Sequence, residues 1–414
     1  MNAATFLLAW STGAFAFVDC EVRTVGGPTL ARATVLVEGS RIRRVGPDAT
    51  VPAGTQKISC DGRVLTPGLI EPDTDLGLVE IGLEPLSNDA DVQVGDDPVR
   101  ASLRARDAAD PRSTLVGVAR RQGVTSVVIV PRAGLVTGQA AWMDLVGVRS
   151  IHVDDAVSGP AGLVVNHTED GAQFAGMSRL VAFAHLREFL DDAKTFVSNR
   201  SAYVRRSLYA MPWSRLDLEA AAEVVRRRQP LLVRVHRAAD IVAVLDWARS
   251  SRLDLVLLGV SEGWMVADQI AEAGVPVVVN PFANLPFHFE ARHARSDNAT
   301  ILDRAGVQVM LSSSASHRAG TLRFRAGTAV REGLDPDRAL AAITRIPAQV
   351  FGRPDLGVIE AGATANLVLW TGDPFEPASH ADVVMVRGEM QPVKSRQTAL
   401  AEHHMRRLGL EDSR

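Results

Sequence analysis

The chain has 414 residues, of which 46% are hydrophobic and 22% charged, and its formal net charge is -3. That length suits one large core with an accessory domain, and so balanced a charge offers no basic face to nucleic acid. The only cysteines are Cys20 and Cys60, which excludes a cysteine zinc cluster and a disulfide-dense scaffold, and the only lysines are Lys57, Lys194 and Lys394.

The first residues are apolar and end in Ala14-Phe15-Ala16, the small-x-small form of a signal-peptidase site, but without a basic start. Two readings stand. Residues 1–16 are a cleaved signal, giving a periplasmic or secreted protein, or 15–22 is simply the first β-strand behind a frayed end, giving a cytoplasmic one. Across 17–64, short strand-like segments are separated by turns at Gly26-Gly27-Pro28, Glu38-Gly39-Ser40 and Pro47-Asp48, which reads as a small all-β unit.

The pattern changes over 65–352. Apolar runs at 124–130, 162–165, 231–235, 255–260, 275–279 and 307–311 alternate with stretches of helical spacing such as 216–228, 241–249 and 265–273. Taking 65–70 as the first strand and allowing one poorly marked strand between Gln139 and Arg200, the count approaches eight. That favours an α/β fold of the closed (β/α)8 TIM-barrel type over an open sheet. Residues 353–396 return to strands, at 357–362, 365–370 and 382–388, with no sheet of their own nearby in sequence. They are expected to complete the N-terminal unit as a β-sandwich assembled from both chain ends. Residues 397–414 form a charged tail, and no later run is long and apolar enough to cross a bilayer.

Four segments carry a resemblance. Val35-Leu36-Val37-Glu38-Gly39-Ser40-Arg41-Ile42-Arg43-Arg44-Val45-Gly46 has the form of an opening hairpin, and 65–70 leads into Glu71-Pro72-Asp73-Thr74-Asp75. Residues 230–241 form a strand followed by His236 and Asp240, and 339–348 with 357–370 form a closing segment. Together these resemble the amidohydrolase superfamily, in its imidazolonepropionase-like branch, over nearly the whole chain. The resemblance implies two metal-binding histidines one residue apart at the end of the first strand, and here those positions are Asp73 and Asp75. The fifth-strand histidine position is Arg234, the sixth-strand one falls at Gly259 or Val260, and the eighth-strand aspartate, both ligand and general base in the family, falls within Ser312-Ser313-Ser314. No lysine stands on a predicted strand of the middle barrel to serve as a carbamylated bridge.

An arginine supplies a cation's charge but neither ligates a metal nor lowers the pKa of a bound water. The site is therefore expected to be a degenerate one, in which Asp73, Asp75 and Arg234 form a salt-bridged plug at the barrel mouth and no cofactor is held. The leading expectation is a pseudoenzyme, a binding or structural subunit that pairs with itself or with an active amidohydrolase paralogue. One alternative is a hydrolase of non-peptide C–N bonds with zinc on Asp73, Asp75 and His236. Another is a binding protein that captures a small carboxylate through Arg234 and His236, with Asp240, Ser314 and His317 around them. His167, His288 and His293 read as surface histidines in loops. Cys20 and Cys60 either bridge or remain two buried thiols, and thiols are the expectation, since cysteine often serves as a small apolar filler.

Overall fold

The computed structural model describes residues 13–91, 97–147, 153–283, 285–393 and 396–410. Most of the candidate signal segment lies outside the described residues. The strands divide between two sheets. One takes β1 (Phe15–Val22), β2 (Leu30–Glu38), β3 (Arg41–Gly46), β4 (Gln56–Ser59) and β5 (Val64–Pro67) from the N-terminal part of the chain. The other holds β6 (Leu69–Thr74), β7 (Val124–Ile129), β8 (Val136–Asp144), β9 (Val157–Asn166), β10 (Leu231–Val235), β11 (Leu255–Gly259), β12 (Val277–Val279) and β13 (Val309–Leu311). The chain then returns to the first sheet with β14 (Leu367–Trp370), β15 (Ala381–Val386) and β16 (Glu389–Gln391).

The composite sheet runs β16-β15-β14-β5-β1-β2-β3, with β4 also on β1. β1 pairs with β4 through Phe15 to Val18 and with β5 through Glu21 and Val22, so its two halves have different partners. Phe17, Val35, Ile42, Leu65, Leu367 and Met385 share one apolar core, and the expected sandwich is in hydrogen bonding a single sheet assembled from both chain ends. Cys20 and Cys60 do not remain as thiols. They are bridged, with Cα atoms 4.9 Å apart, because Cys60 N–H donates to Val18 O at 2.8 Å and brings the two chains side by side.

Two sequence-based expectations change here. Residues 65–67 belong to β5, paired with β14, and the barrel begins only at Leu69. The switch falls at Gly68, whose N–H bonds Asn366 O in the composite sheet while the next N–H, of Leu69, bonds Gly123 O in the barrel. A Cβ at Gly68 would run into the Thr125 side chain, so only glycine lets the sheets approach this closely. The segment 357–362 is not a regular strand, although Val358 and Ile359 are buried in the composite core and Ile359 N–H donates to Thr24 O.

The second sheet is a nearly closed eight-stranded barrel in the order β6 to β13. All its neighbours are parallel except around β8, which runs antiparallel to both β7 and β9. The poorly marked strand expected between Gln139 and Arg200 is this one, and it begins ahead of that window, at Val136. Among the described residues it has no crossover helix on either side, so no helical spacing announces it, and β9 extends well before the apolar run at 162–165. Elsewhere the helices fall where apolar spacing predicts them, as in Arg215–Val225, capped by Ser214, and Ala238–Ser251.

Candidate functional site

Strand β6 reads Leu-Ile-Glu-Pro-Asp-Thr, and all six residues are buried. Alternation along the strand sends Glu71, Asp73 and the following Asp75 to the same side, toward the barrel interior and mouth. Arg234, the one polar residue of β10, reaches across and grips Asp73 with both terminal nitrogens, Nη1 to Oδ2 at 2.9 Å and Nη2 to Oδ1 at 3.0 Å. A second guanidinium joins it. Arg132 Nη1 donates to Asp73 Oδ1 at 2.6 Å, its Nη2 donates to Ser314 O at 3.3 Å, and its Nε lies 3.5 Å from Asp75 Oδ2. Asp75 thus meets the cluster through Arg132 rather than Arg234, and its Oδ1 accepts from Ser316 N–H. Burial alone would raise the Asp73 carboxyl, but Arg132 and Arg234 outweigh it and hold the group well below the usual carboxylate range. Burial likewise works against the charge on Arg132, and Asp73 and Asp75 more than restore it.

Sequence reasoning missed Arg132 and Glu71. Arg132 sits in the turn 130–135 between β7 and β8, directly after a predicted apolar run, and its position at a strand end was the available signal. Glu71 is two residues upstream of Asp73 on the same face. It sits at the seam where β6 comes alongside β13, at a place where Ile70 N–H bonds not β13 but Ile343 O, just after the helix Pro336–Ala342. The Glu71 side chain closes the seam, accepting from Ser312 Oγ at 2.5 Å, Ser313 N–H at 2.9 Å and Ser313 Oγ at 2.6 Å. Burial pushes its carboxyl up to about 7 despite those donors. The serine run is therefore occupied in stitching the seam, and Ser314, at φ +62°, donates its own N–H to Ser312 Oγ.

His236 follows β10 and rests where a side chain at Gly259 would stand, since a Cβ there would collide with the imidazole. Its Nδ1 is 2.8 Å from Ser261 Oγ. Burial drives it down to about 4, with Arg234 and His288 adding to the effect, so the ring is neutral at neutral pH. Asp240 joins a different group at the start of helix Ala238–Ser251, paired with Arg237 at 2.5 Å and 3.6 Å from Arg179. His317 is exposed, and its Nε2 accepts from Arg318 at 3.1 Å. His288 and His293 are exposed as expected, whereas His167 is buried and stacked on Phe183 at 4.9 Å, because β9 carries it into the barrel top. Among the described residues, no three His, Cys, Asp or Glu side chains are grouped as a metal site.

Residues 238–394 match the amidohydrolase family. The chain is 29% identical to an imidazolonepropionase of Anaeromyxobacter sp. (strain K) over 86% of this chain and 88% of that one, and 25% identical to one of Shouchella clausii over 87% and 86%. The solved structure of an amidohydrolase from Thermotoga maritima MSB8 superposes with a TM-score of 0.82 at 26% identity, covering 91% of this chain and 99% of that one. A molinate hydrolase shares the fold at a TM-score of 0.56 and 17% identity, covering 92% and 95%. Barrel, composite sheet and these likenesses together support the amidohydrolase superfamily as the class and, within it, the imidazolonepropionase-like branch.

Proposed function

We propose that this protein is a pseudoenzyme, an amidohydrolase fold retained as a binding or structural subunit. The observation that carries the reading is the state of Asp73, whose two oxygens are both taken by guanidinium groups at the place where the family would hold a cation. The donor set does not fit a divalent metal. A cation at Asp73 would have to displace Arg132 and stand beside the guanidinium of Arg234, which ligates no metal. Gly259 offers no ligand, the Ser312 and Ser313 hydroxyls are spent on Glu71, and two guanidiniums supply charge without Lewis acidity.

A zinc hydrolase built on Asp73, Asp75 and His236 is the weaker reading for the same reason, and His236 Nδ1 is already engaged by Ser261. A subunit role is supported by apolar side chains left open on the loops that follow β6 and β12, among them Leu83, Leu86, Phe287 and Phe289. Such a surface fits a second copy or an active paralogue. The Cys20–Cys60 bridge supports the exported reading, since disulfides persist in oxidising compartments.

Elemental analysis of the purified, dialysed protein tests the proposal. Substoichiometric zinc, manganese and iron is the expected result, together with no turnover of N-acyl amino acids, hydantoins or lactams after metal addition. One equivalent of a tightly held transition metal would overturn it.

A further inference from the structure

Three arginines of the barrel are buried or nearly so around the mouth, and two of them, Arg132 and Arg234, are committed to Asp73. The third is Arg325, on the helix Leu322–Arg331, only 4% exposed. Its Nε and Nη1 are buried without a hydrogen-bond partner. Its guanidinium carbon lies 3.5 Å from the centroid of the Phe282 ring, in the loop that follows β12. Burial depresses it to about 10, the nearby Arg318 adds to that, and the field of Glu71 opposes both. The neighbouring Arg323 shows what a satisfied buried arginine looks like in the same helix, donating to the carbonyls of Pro374, Glu376 and Ser379.

A guanidinium carries five donors, and burying its charge unpaired is costly. A native fold that keeps such a group calls for a partner that completes it, such as a ligand. The local charge indicates its sign and size. Arg132, Arg234 and Arg325 carry three positive charges against those of Asp73 and Asp75 and a fraction of one on Glu71, so these groups leave room for at most one further negative charge, reached when Glu71 is protonated. The surroundings indicate its body. Phe282 covers the guanidinium, and Leu285 and Phe287 lie exposed farther along the same loop.

We propose that Arg325 anchors a small organic monocarboxylate at the edge of the barrel mouth, with the apolar part of the ligand against Phe282. The inference rests on the reading of this protein as a binding subunit and gives that reading a ligand class. It also moves the anchor away from Arg234, whose terminal nitrogens are already held by Asp73.

The test is calorimetric titration and thermal shift of the full chain with benzoate, hexanoate, acetate and inorganic phosphate, using the native protein, Arg325→Met and Phe282→Ala. Benzoate and hexanoate are expected to bind and to raise the melting temperature, acetate and phosphate far less. Arg325→Met should weaken benzoate by roughly tenfold or more, as loss of a charged anchor does. The same variant should be at least as stable as the native protein without ligand, because it removes an unpaired buried cation, so folding failure does not mask the result. Phe282→Ala should weaken benzoate and leave acetate unchanged. Equal benzoate binding by Arg325→Met, phosphate binding as tightly as benzoate, or no binding of any carboxylate would overturn the proposal. These outcomes leave metal content untouched, so the assignment of Arg325 can fail while the pseudoenzyme reading stands.

Discussion

Two neighbourhoods of the barrel mouth lie two residues apart on β6 and are equally buried, yet they hold their carboxyls in opposite states. Around Asp73 the partners are guanidiniums, and the group is ionised far below its ordinary range. Around Glu71 the partners are hydroxyls and a backbone N–H, and burial wins, lifting the group to about 7. Depth alone does not set ionisation; the charge of the partner does. One strand therefore carries both an ion cluster and a switchable hydrogen-bonded clamp.

Removing the carboxylate from the ion cluster should have the largest effect. Asp73→Ala strands two buried cations and is expected to cost about 3 to 5 kcal/mol of stability, read by urea unfolding. A loss below about 1 kcal/mol, the scale of an exposed pair, would mean that the cluster is not part of the fold's support. At the seam the effect should be smaller: Glu71→Ala is expected to cost about 1 to 3 kcal/mol by leaving serine donors unsatisfied. Glu71→Gln, which keeps a carbonyl acceptor, should lose well under that, and the clamp idea fails if the two variants are equally unstable.

The contrast in pH is the sharpest, although per pH unit its effect is the smallest. The folded-state pKa of Glu71 is raised, so its contribution is present below the ordinary glutamate range and is lost as pH climbs through about 7. That of Asp73 is depressed, so its contribution is present above the ordinary aspartate range and is lost only as pH falls toward the depressed value. Between about pH 5 and 7.5, stability should fall by roughly 1 kcal/mol per pH unit or less from Glu71. Glu290, also raised to about 7 by burial, adds a slope of the same sign. The difference between the native protein and Glu71→Gln across that range isolates Glu71, and parallel curves would remove it as the titrating group.

The fold was legible where periodicity reports burial. Runs such as 231–235 and 255–260 became β10 and β11, and the paired chain ends became one sheet. What stayed hidden depended on contacts between distant segments. β8 is joined to β7 by a short turn with no helix in it, Gly68 is a crossing point that only its closeness to Thr125 explains, and the bridge between Cys20 and Cys60 follows from strand adjacency. In the site, Asp73 and Arg234 were identifiable because a family motif marks their positions. Arg132, Glu71 and Arg325 carry no such mark, and only the three-dimensional balance of charge singles them out.

The reversed strand has a consequence for how the barrel assembles. Parallel neighbours such as β9 and β10 are joined by the whole stretch from Asn166 to Leu231, and such pairs form only after a long loop has closed. β7, β8 and β9 form an antiparallel meander over 124–166, whose partners lie close along the chain. Loop-closure entropy opposes this part of the barrel least, and hairpins form within microseconds. The turn that delivers Arg132 to the mouth is thus part of the segment best placed to form first, before Asp73 and Arg234 have been brought together around it.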